Sequence, residues 1–239
     1  MVDQVKISHD GNNHEGFIII EPLPQGLGMT LGNALRRVLL SSLPGAAITQ
    51  AKIAGVSHEY STIKGVKEDV VQILLNLKKI RLSIEGDKPV KLELDVKGPK
   101  EVKASDLNLP AGVKVSNPDQ VIATLADNKS KLEVELTAEK GVGYVPVDDR
   151  RGYGIGIIPL DANFTPITKV NYKVEATRVG QITNFDKLTF EISTDGTVTP
   201  AEAIKEGSKI LTDYFTVLVE QKKAPKKDKE DEVVKPKID

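Results

Sequence analysis

Two stretches of the chain are apolar on more sides than a single packing face requires. From about Thr30 to Ser42, Leu31, Ala34, Leu35, Val38, Leu39 and Ser42 share one face at helical spacing. Gly32 and Leu43 widen that arc, Leu40 sits nearly opposite, and Asn33, Arg37 and Ser41 leave only a thin polar strip. Gly26 and Gly28 open the segment and Pro44-Gly45 closes it, which is the punctuation of a helix. A helix apolar on two sides needs two things to bury against. One is its own domain, and the pattern points to another protein as the second.

The last stretch of this kind is Thr199–Gln221. Thr199 is placed to cap it, Pro200 suits the first helical position, and Glu202 completes a capping box. Two adjacent seams run along it: Ile204, Ser208, Leu211, Phe215, Leu218 and Ala203, Gly207, Ile210, Tyr214, Val217. Gly207-Ser208 would let another backbone come close.

Outside these two helices the period is mostly two. Gly16–Glu21 reads as a short buried strand ended by Pro22 and Pro24, after a polar segment, Ser8–Glu15, that reads as a loop. Ala46–Ile53 reads as a strand. A loop with Gly55, His58, Ser61 and Thr62 leads to a helix from about Val66 to Lys78, with Val66, Val70, Ile73, Leu74 and Leu77 as its core stripe. Glu68 and Asp69 fall in its first turn, and Val71 and Leu75 lie off the stripe. Ile80–Ile84 and Val90–Val96 alternate about a Gly86-Asp87 turn and predict a hairpin. Short strands follow near Lys114-Val115 and Val121–Leu125, then one over Leu132–Thr137 continued by Gly141–Val147. Asp148–Gly154 reads as an exposed charged loop, Ile155–Asp161 as a short apolar piece, and Ile167–Thr177 and Lys187–Thr194 as long strands.

Helices near both ends and strands between them predict an α+β protein of two domains. Residues 1–44 and 167–221 would form one discontinuous unit, a sheet with two long helices. Residues 45–166 would form a strand-rich domain inserted into it. The segment 222–239 is lysine-rich, acidic and poor in apolar residues, and reads as a flexible tail.

Composition narrows the function. The chain has 33 Lys and Arg against 34 Asp and Glu, so it is not a general polyanion binder. With no cysteine, thiol catalysis, disulfides and Cys-ligated zinc all drop out. No signal peptide and no membrane span are visible, so a soluble intracellular protein is expected. Tryptophan is absent and aromatics are 4%, which argues against a base-stacking surface.

Catalytic signals are weak. His9, His14 and His58 lack partners at the spacing of a helical zinc motif, and Asp148-Asp149-Arg150-Arg151 sits in a charged loop, where solvation is the simpler account. Gly26-x-Gly28-x-x-x-Gly32 follows a strand and opens a helix, near a dinucleotide fingerprint. Against it, two prolines separate strand from glycines, Ala46–Ile53 ends without an acid for a ribose, and no βαβαβ alternation follows. A nucleotide-binding enzyme is the alternative to a scaffold. Arg36 lies at the edge of the apolar arc and suits snorkelling, while Arg37 lies in the polar strip with Asn33 and Ser41.

The segment Thr-Leu-Gly-Asn-Ala-Leu-Arg-Arg-Val-Leu-Leu-Ser-Ser-Leu-Pro-Gly, Thr30–Gly45, resembles the first helix of the alpha subunit of bacterial DNA-dependent RNA polymerase. His58–Thr62 with Gly65–Asp69 resembles the family's next signature. The resemblance spans essentially Glu15 to Gln221. It implies a non-catalytic assembly subunit of a nucleotidyltransferase, with a dimerisation domain and an inserted domain, acting in the cytoplasm in transcription. A second copy of the chain would pair through Leu31, Leu35, Leu39, Leu43, Ile204, Leu211, Phe215 and Leu218. The beta subunit would meet Arg37, Asn33, Ser41, His58, Glu59, Ser61, Thr62, Glu68 and Asp69. The beta-prime subunit would meet Arg178, Val179, Lys187 and Leu188 beside Asp186. No catalytic residue, cofactor or metal is expected in this chain, the active-site magnesium lying on beta-prime. Family members usually continue through a linker into a small DNA-binding helical domain, and Lys222–Asp239 resembles that linker, so direct DNA contact is not expected from this region.

Overall fold

The computed structural model describes residues 6–12, 14–149, 154 and 156–220. The 222–239 tail and most of the expected Asp148–Gly154 loop lie outside the described residues. Among the described residues there are two main hydrophobic cores, each under its own sheet.

The first sheet is antiparallel and has the order β1-β2-β14-β13, from β1 (Lys6–Gly11), β2 (Glu15–Pro24), β13 (Ile167–Val179) and β14 (Ile182–Thr194). Alternation gives it an inner face, with Ile18 and Ile20 on β2 and Leu188, Phe190 and Ile192 on β14 all buried. α1 (Leu27–Ser41) and α3 (Pro200–Glu220) cover that face. Leu35, Leu39 and Leu43 descend from α1 and its end, and Ala203 and Ile204 from the start of α3.

The second core lies under a sheet of order β5-β9-β3-β4-β7: β3 (Pro44–Ile53), β4 (Leu82–Ile84), β5 (Val90–Lys97), β7 (Val113–Val115) and β9 (Lys131–Val142). β11 (Ile158–Pro159) adds to β3. α2 (Val70–Leu77) and the pair β6 (Lys100–Lys103) and β8 (Val121–Leu125) close the core, with Ile73, Leu77 and Ile122 fully buried. β10 (Tyr144–Val145) and β12 (Ala162–Asn163) form a small pair beside Phe164, which is buried against Ala47 and Ala162. The chain passes between the two cores twice, at Leu43–Gly45 and at Phe164–Pro166. These passages touch: a Cβ on Gly45 would overlap the Phe164 carbonyl oxygen.

Several elements depart from the sequence pattern. The expected hairpin of Ile80–Ile84 with Val90–Val96 does not form. β4 pairs with β3 and β7, and β5 pairs with β9 from Val90↔Ala138 to Lys97↔Lys131. Alternation defines faces, not partners, and the longer β9 offers β5 a ladder that three-residue β4 could not. Ser8–Glu15 is mostly not a loop: β1 runs through Gly11, carried by its backbone ladder with β2, all side chains exposed. β2 continues through both prolines. Pro22 falls in the register shift between Leu188↔Ile20 and Asp186↔Leu23, beyond the last β1 pair at Glu21, so no ladder bond needs its missing N–H. α2 begins at Val70 rather than Val66. Asp69 is its N-cap and accepts from Gln72 N at 2.7 Å, while Glu68 turns away to Thr124.

Candidate functional site

α1 starts where the glycines are, and Asp186 explains why. Its Oδ2 accepts from the backbone N–H of Gly26 at 2.9 Å and of Gly28 at 3.1 Å. Gly26 has φ 84°, the left-handed region that glycine tolerates, and this lets its N–H point at the carboxylate. A helix N-terminus has free N–H donors and a positive dipole end that favours an anion. Here the anion is supplied by the chain itself, from 160 residues away. This weighs against the dinucleotide reading of Gly26–Gly32: two of the donors that would cradle a phosphate, on Gly26 and Gly28, are already used. The remaining glycines serve packing, since a Cβ on Gly28 would meet Val174 at 2.9 Å and one on Gly32 would meet the Tyr172 ring at 2.6 Å.

Three sides of α1 now separate. Leu35 and Leu39, with Leu43 just beyond the helix, are buried in the chain's own core. They hold α1 down and are removed from the set offered to a second copy. Gly28, Gly32 and Arg36 face the β13–β14 hairpin, and Arg36 Nε donates to the Val170 carbonyl at 3.2 Å. Arg36 is thus an anchor rather than a free snorkelling charge. Asn33, Arg37 and Ser41 are exposed on the outer side. The Arg37 guanidinium makes no hydrogen bond or ion pair among the described residues, and Ser41 Oγ bonds back to the Arg37 carbonyl at 2.7 Å.

Residues 57–69 form an ordered loop on the second core. Ser61 Oγ donates to the His58 carbonyl at 2.9 Å and lies 3.2 Å from His58 Nδ1. Val70 N donates to the Ser61 carbonyl at 3.1 Å, and Thr62 bridges Asp69. Glu68 is half-buried and accepts from Thr124 N at 2.7 Å and Thr124 Oγ1 at 2.9 Å. Glu68 and Asp69 therefore shape the loop, while His58, Glu59 and Thr62 keep accessible surface. No hydrogen bond or ion pair among the described residues joins this loop to the α1 strip. Nearby, Asp161 accepts from Lys78 Nζ at 2.8 Å and from Val147 N at 3.2 Å. The Lys78 bond, reinforced by the backbone N–H, holds its carboxyl below the ordinary carboxylate range.

At the hairpin tip Arg178 and Val179 are exposed, and Lys187, further back on β14 opposite Glu175, is half-buried. Leu188 belongs to the first core and is fully buried, so it cannot meet a partner. Ile204 is likewise buried, at the start of α3. Gly207 lies under α1, where a Cβ would sit 3.1 Å from Leu39 Cδ2, so the close approach expected there is to the chain's own helix. Leu31 and Leu211 are half-buried at the rim of this core.

Beyond Leu211 the character of α3 changes. Every residue from Thr212 to Glu220 is exposed, and Tyr214, Phe215, Val217 and Leu218 show 71%, 58%, 63% and 72% of their surface. More than two turns of helix carry apolar side chains with no neighbour among the described residues to bury them. Sequence periodicity placed Phe215 and Leu218 on this face. It missed Asp186's bond to α1 and Tyr172's place beneath Gly32, because both contacts join strand to helix across long sequence distances with no local signal.

Among the described residues no group of three or more His, Asp or Glu is placed to hold a metal ion, and no helix is long and apolar enough to cross a membrane.

Residues 51–165 match the family model described as the RNA polymerase Rpb3/RpoA insert domain. The chain is 51% identical over 209 residues to the DNA-directed RNA polymerase subunit alpha of Limosilactobacillus reuteri, covering 86% of this chain and 66% of that protein. It is 49% identical to that of Oceanobacillus iheyensis and 50% to that of Bacillus velezensis, each over 220 residues, 91% of this chain and 69% of the relative. The chain belongs to the family of DNA-directed RNA polymerase alpha subunits. It spans about two thirds of the length of these relatives. Membership accounts for the absence of a catalytic motif, and nothing supports the nucleotide-binding alternative.

Proposed function

We propose that this chain is the non-catalytic assembly subunit of a transcribing RNA polymerase. Two copies pair, and the pair is the platform on which the beta and beta-prime subunits dock. The observation that carries the reading is the apolar outer half of α3, from Tyr214 to Val219, which one copy leaves exposed. Exposed apolar faces of this size mark interaction sites, and a two-fold pair lets one patch bury itself against its copy. The dimer surface is then Leu31, Leu211, Phe215 and Leu218 with Tyr214 and Val217. The dimerisation unit is residues 1–44 and 167–221, and residues 45–166 are the inserted unit.

Beta docks on Asn33, Arg37 and Ser41 and on the accessible part of the 58–69 loop. The exposed Arg37 fork, with no partner among the described residues, suits directed bonds at an interface. Beta-prime docks at the hairpin tip, around Arg178, Val179 and Lys187. Chemistry and its magnesium reside on beta-prime, and the complex works in the cytoplasm on the nucleoid. The test is capture of purified beta by wild-type and Arg37→Ala chains, with thermal melts of both. Loss of capture at unchanged melting temperature is expected. Normal capture by Arg37→Ala contradicts the assignment.

A further inference from the structure

α1 runs along the β13–β14 hairpin in matched steps. Gly28 faces Val174, Gly32 faces Tyr172, and Arg36 Nε donates to the Val170 carbonyl at 3.2 Å. Each step is four residues of helix and two of strand. Four helical residues rise about 6 Å and two strand residues about 6.6 Å. The two repeats therefore stay in phase over three successive contacts.

The glycine contacts decide how closely the helix lies, but they are apolar and resist small sliding only weakly. Asp186 is directional. One oxygen receives two successive donors of the helix end, at 2.9 and 3.1 Å, and so defines a point on β14 to which α1 is pinned. On the same strand the neighbouring residue is Lys187, and Arg178 and Val179 lie at the tip of the same hairpin. On the same helix, about one and a half to three and a half turns beyond Gly28, are Asn33, Arg37 and Ser41.

We infer that Asp186 is a positioning residue that fixes the axial placement of α1 on the hairpin, and thereby holds the Asn33–Arg37–Ser41 strip in the geometry in which it binds beta. The inference rests on the docking reading above and adds a residue that acts on beta binding through α1. Removing the carboxylate frees the N–H groups of Gly26 and Gly28 and leaves the first turn of α1 held by packing alone. Asparagine keeps an acceptor oxygen at the same reach. Glutamate keeps the charge but displaces it by one methylene.

The experiment compares the full chain with Asp186→Ala, Asp186→Asn, Asp186→Glu and Arg37→Ala. Three quantities are read: affinity for purified beta, mass in solution, and amide hydrogen exchange over residues 26–31. For Asp186→Ala we expect exchange at Gly26 and Gly28 at least about tenfold faster, beta affinity at least about tenfold weaker, and unchanged mass. Asp186→Asn should restore most of both. A purely structural role would lower stability without this split between beta affinity and mass. Beta affinity within twofold of wild type for Asp186→Ala, while Arg37→Ala loses it, overturns the positioning role and leaves the docking reading standing. Normal affinity for both variants overturns both. Should Asp186→Ala fail to fold, Asp186→Glu decides: weakened capture with intact mass supports the role, and capture within twofold of wild type overturns it.

Discussion

Gly32 of α1 lies flat against the ring of Tyr172 on β13: a Cβ at that glycine would come within 2.6 Å of a ring carbon. The ring is flanked by that of Phe190, its cross-strand partner on β14, at 6.1 Å between centroids, which restricts its sideways movement. In an open helix, Gly→Ala stabilises by about 1 kcal/mol. Here overpacking, at about 1–3 kcal/mol, opposes that gain. Gly32→Ala should lower stability by about 1 kcal/mol, or a few degrees in Tm for a chain of this length. In a Tyr172→Leu background the same substitution should stabilise. A denaturant double-mutant cycle reads the change of sign, and equal effects in both backgrounds would show that the contact does not limit helix placement.

The α1 leucines and the α3 outer face should behave oppositely. Leu39 is fully buried in its own chain, so Leu39→Ala should cost about 2–5 kcal/mol through cavity formation. Phe215→Asp and Leu218→Asp alter exposed positions and should preserve the far-ultraviolet circular dichroism of the fold. Their melting temperature should no longer depend on protein concentration, as expected once pairing is lost. A concentration-dependent melt retained in the double variant would place the pairing surface elsewhere.

Arg36 and Arg37 are adjacent in sequence and should differ in work. Arg36→Ala removes the bond to the Val170 carbonyl and should cost about 1 kcal/mol of stability. Arg37→Ala should leave the melt unchanged and weaken beta binding by about 2 kcal/mol, roughly thirtyfold. Titration calorimetry with beta and parallel melts separate the two effects. The reverse assignment of losses would exchange their roles.

How much of this was legible beforehand varied by element. The α3 capping box was, because its parts are local: Thr199 N donates to Glu202 Oε2 at 2.9 Å, and Glu202 N to Thr199 Oγ1 at 3.3 Å. The buried strands were, through Leu188–Ile192 and Leu132–Leu136. Polar β1 was not, since its ladder with β2 carries no hydrophobic signature. The partner of β5 was not, since Val90–Val96 records a face and not a neighbour. At the site, the exposed Arg37 and Phe215 followed from periodicity. The burial of Leu39, Leu188 and Ile204 did not, because a helix or strand apolar on several sides does not say which side its own domain takes. Asp186 was out of reach altogether: its bond to Gly26 spans 160 residues.

The Lys78–Asp161 pair should make the stability of this part of the chain sensitive to acid. Asp161 has its folded pKa depressed below 3.8, chiefly by its bond from Lys78. Its contribution is therefore present above the unfolded pKa and lost as pH falls through it toward the folded value. Asp161→Asn should lower stability at neutral pH and flatten the fall in stability as pH drops below the ordinary carboxylate range. Urea melts across that range check it, and a parallel acid limb in the variant would show that the pair contributes little.

Pairing of two copies is the claim on which the platform depends, and the mass of the purified chain in solution tests it most directly. Light scattering at micromolar concentration should give twice 25.9 kDa, about 52 kDa, for the unaltered chain. Phe215→Asp with Leu218→Asp should give a folded species at the single-chain mass. A stable single-chain mass for the unaltered protein would contradict the account.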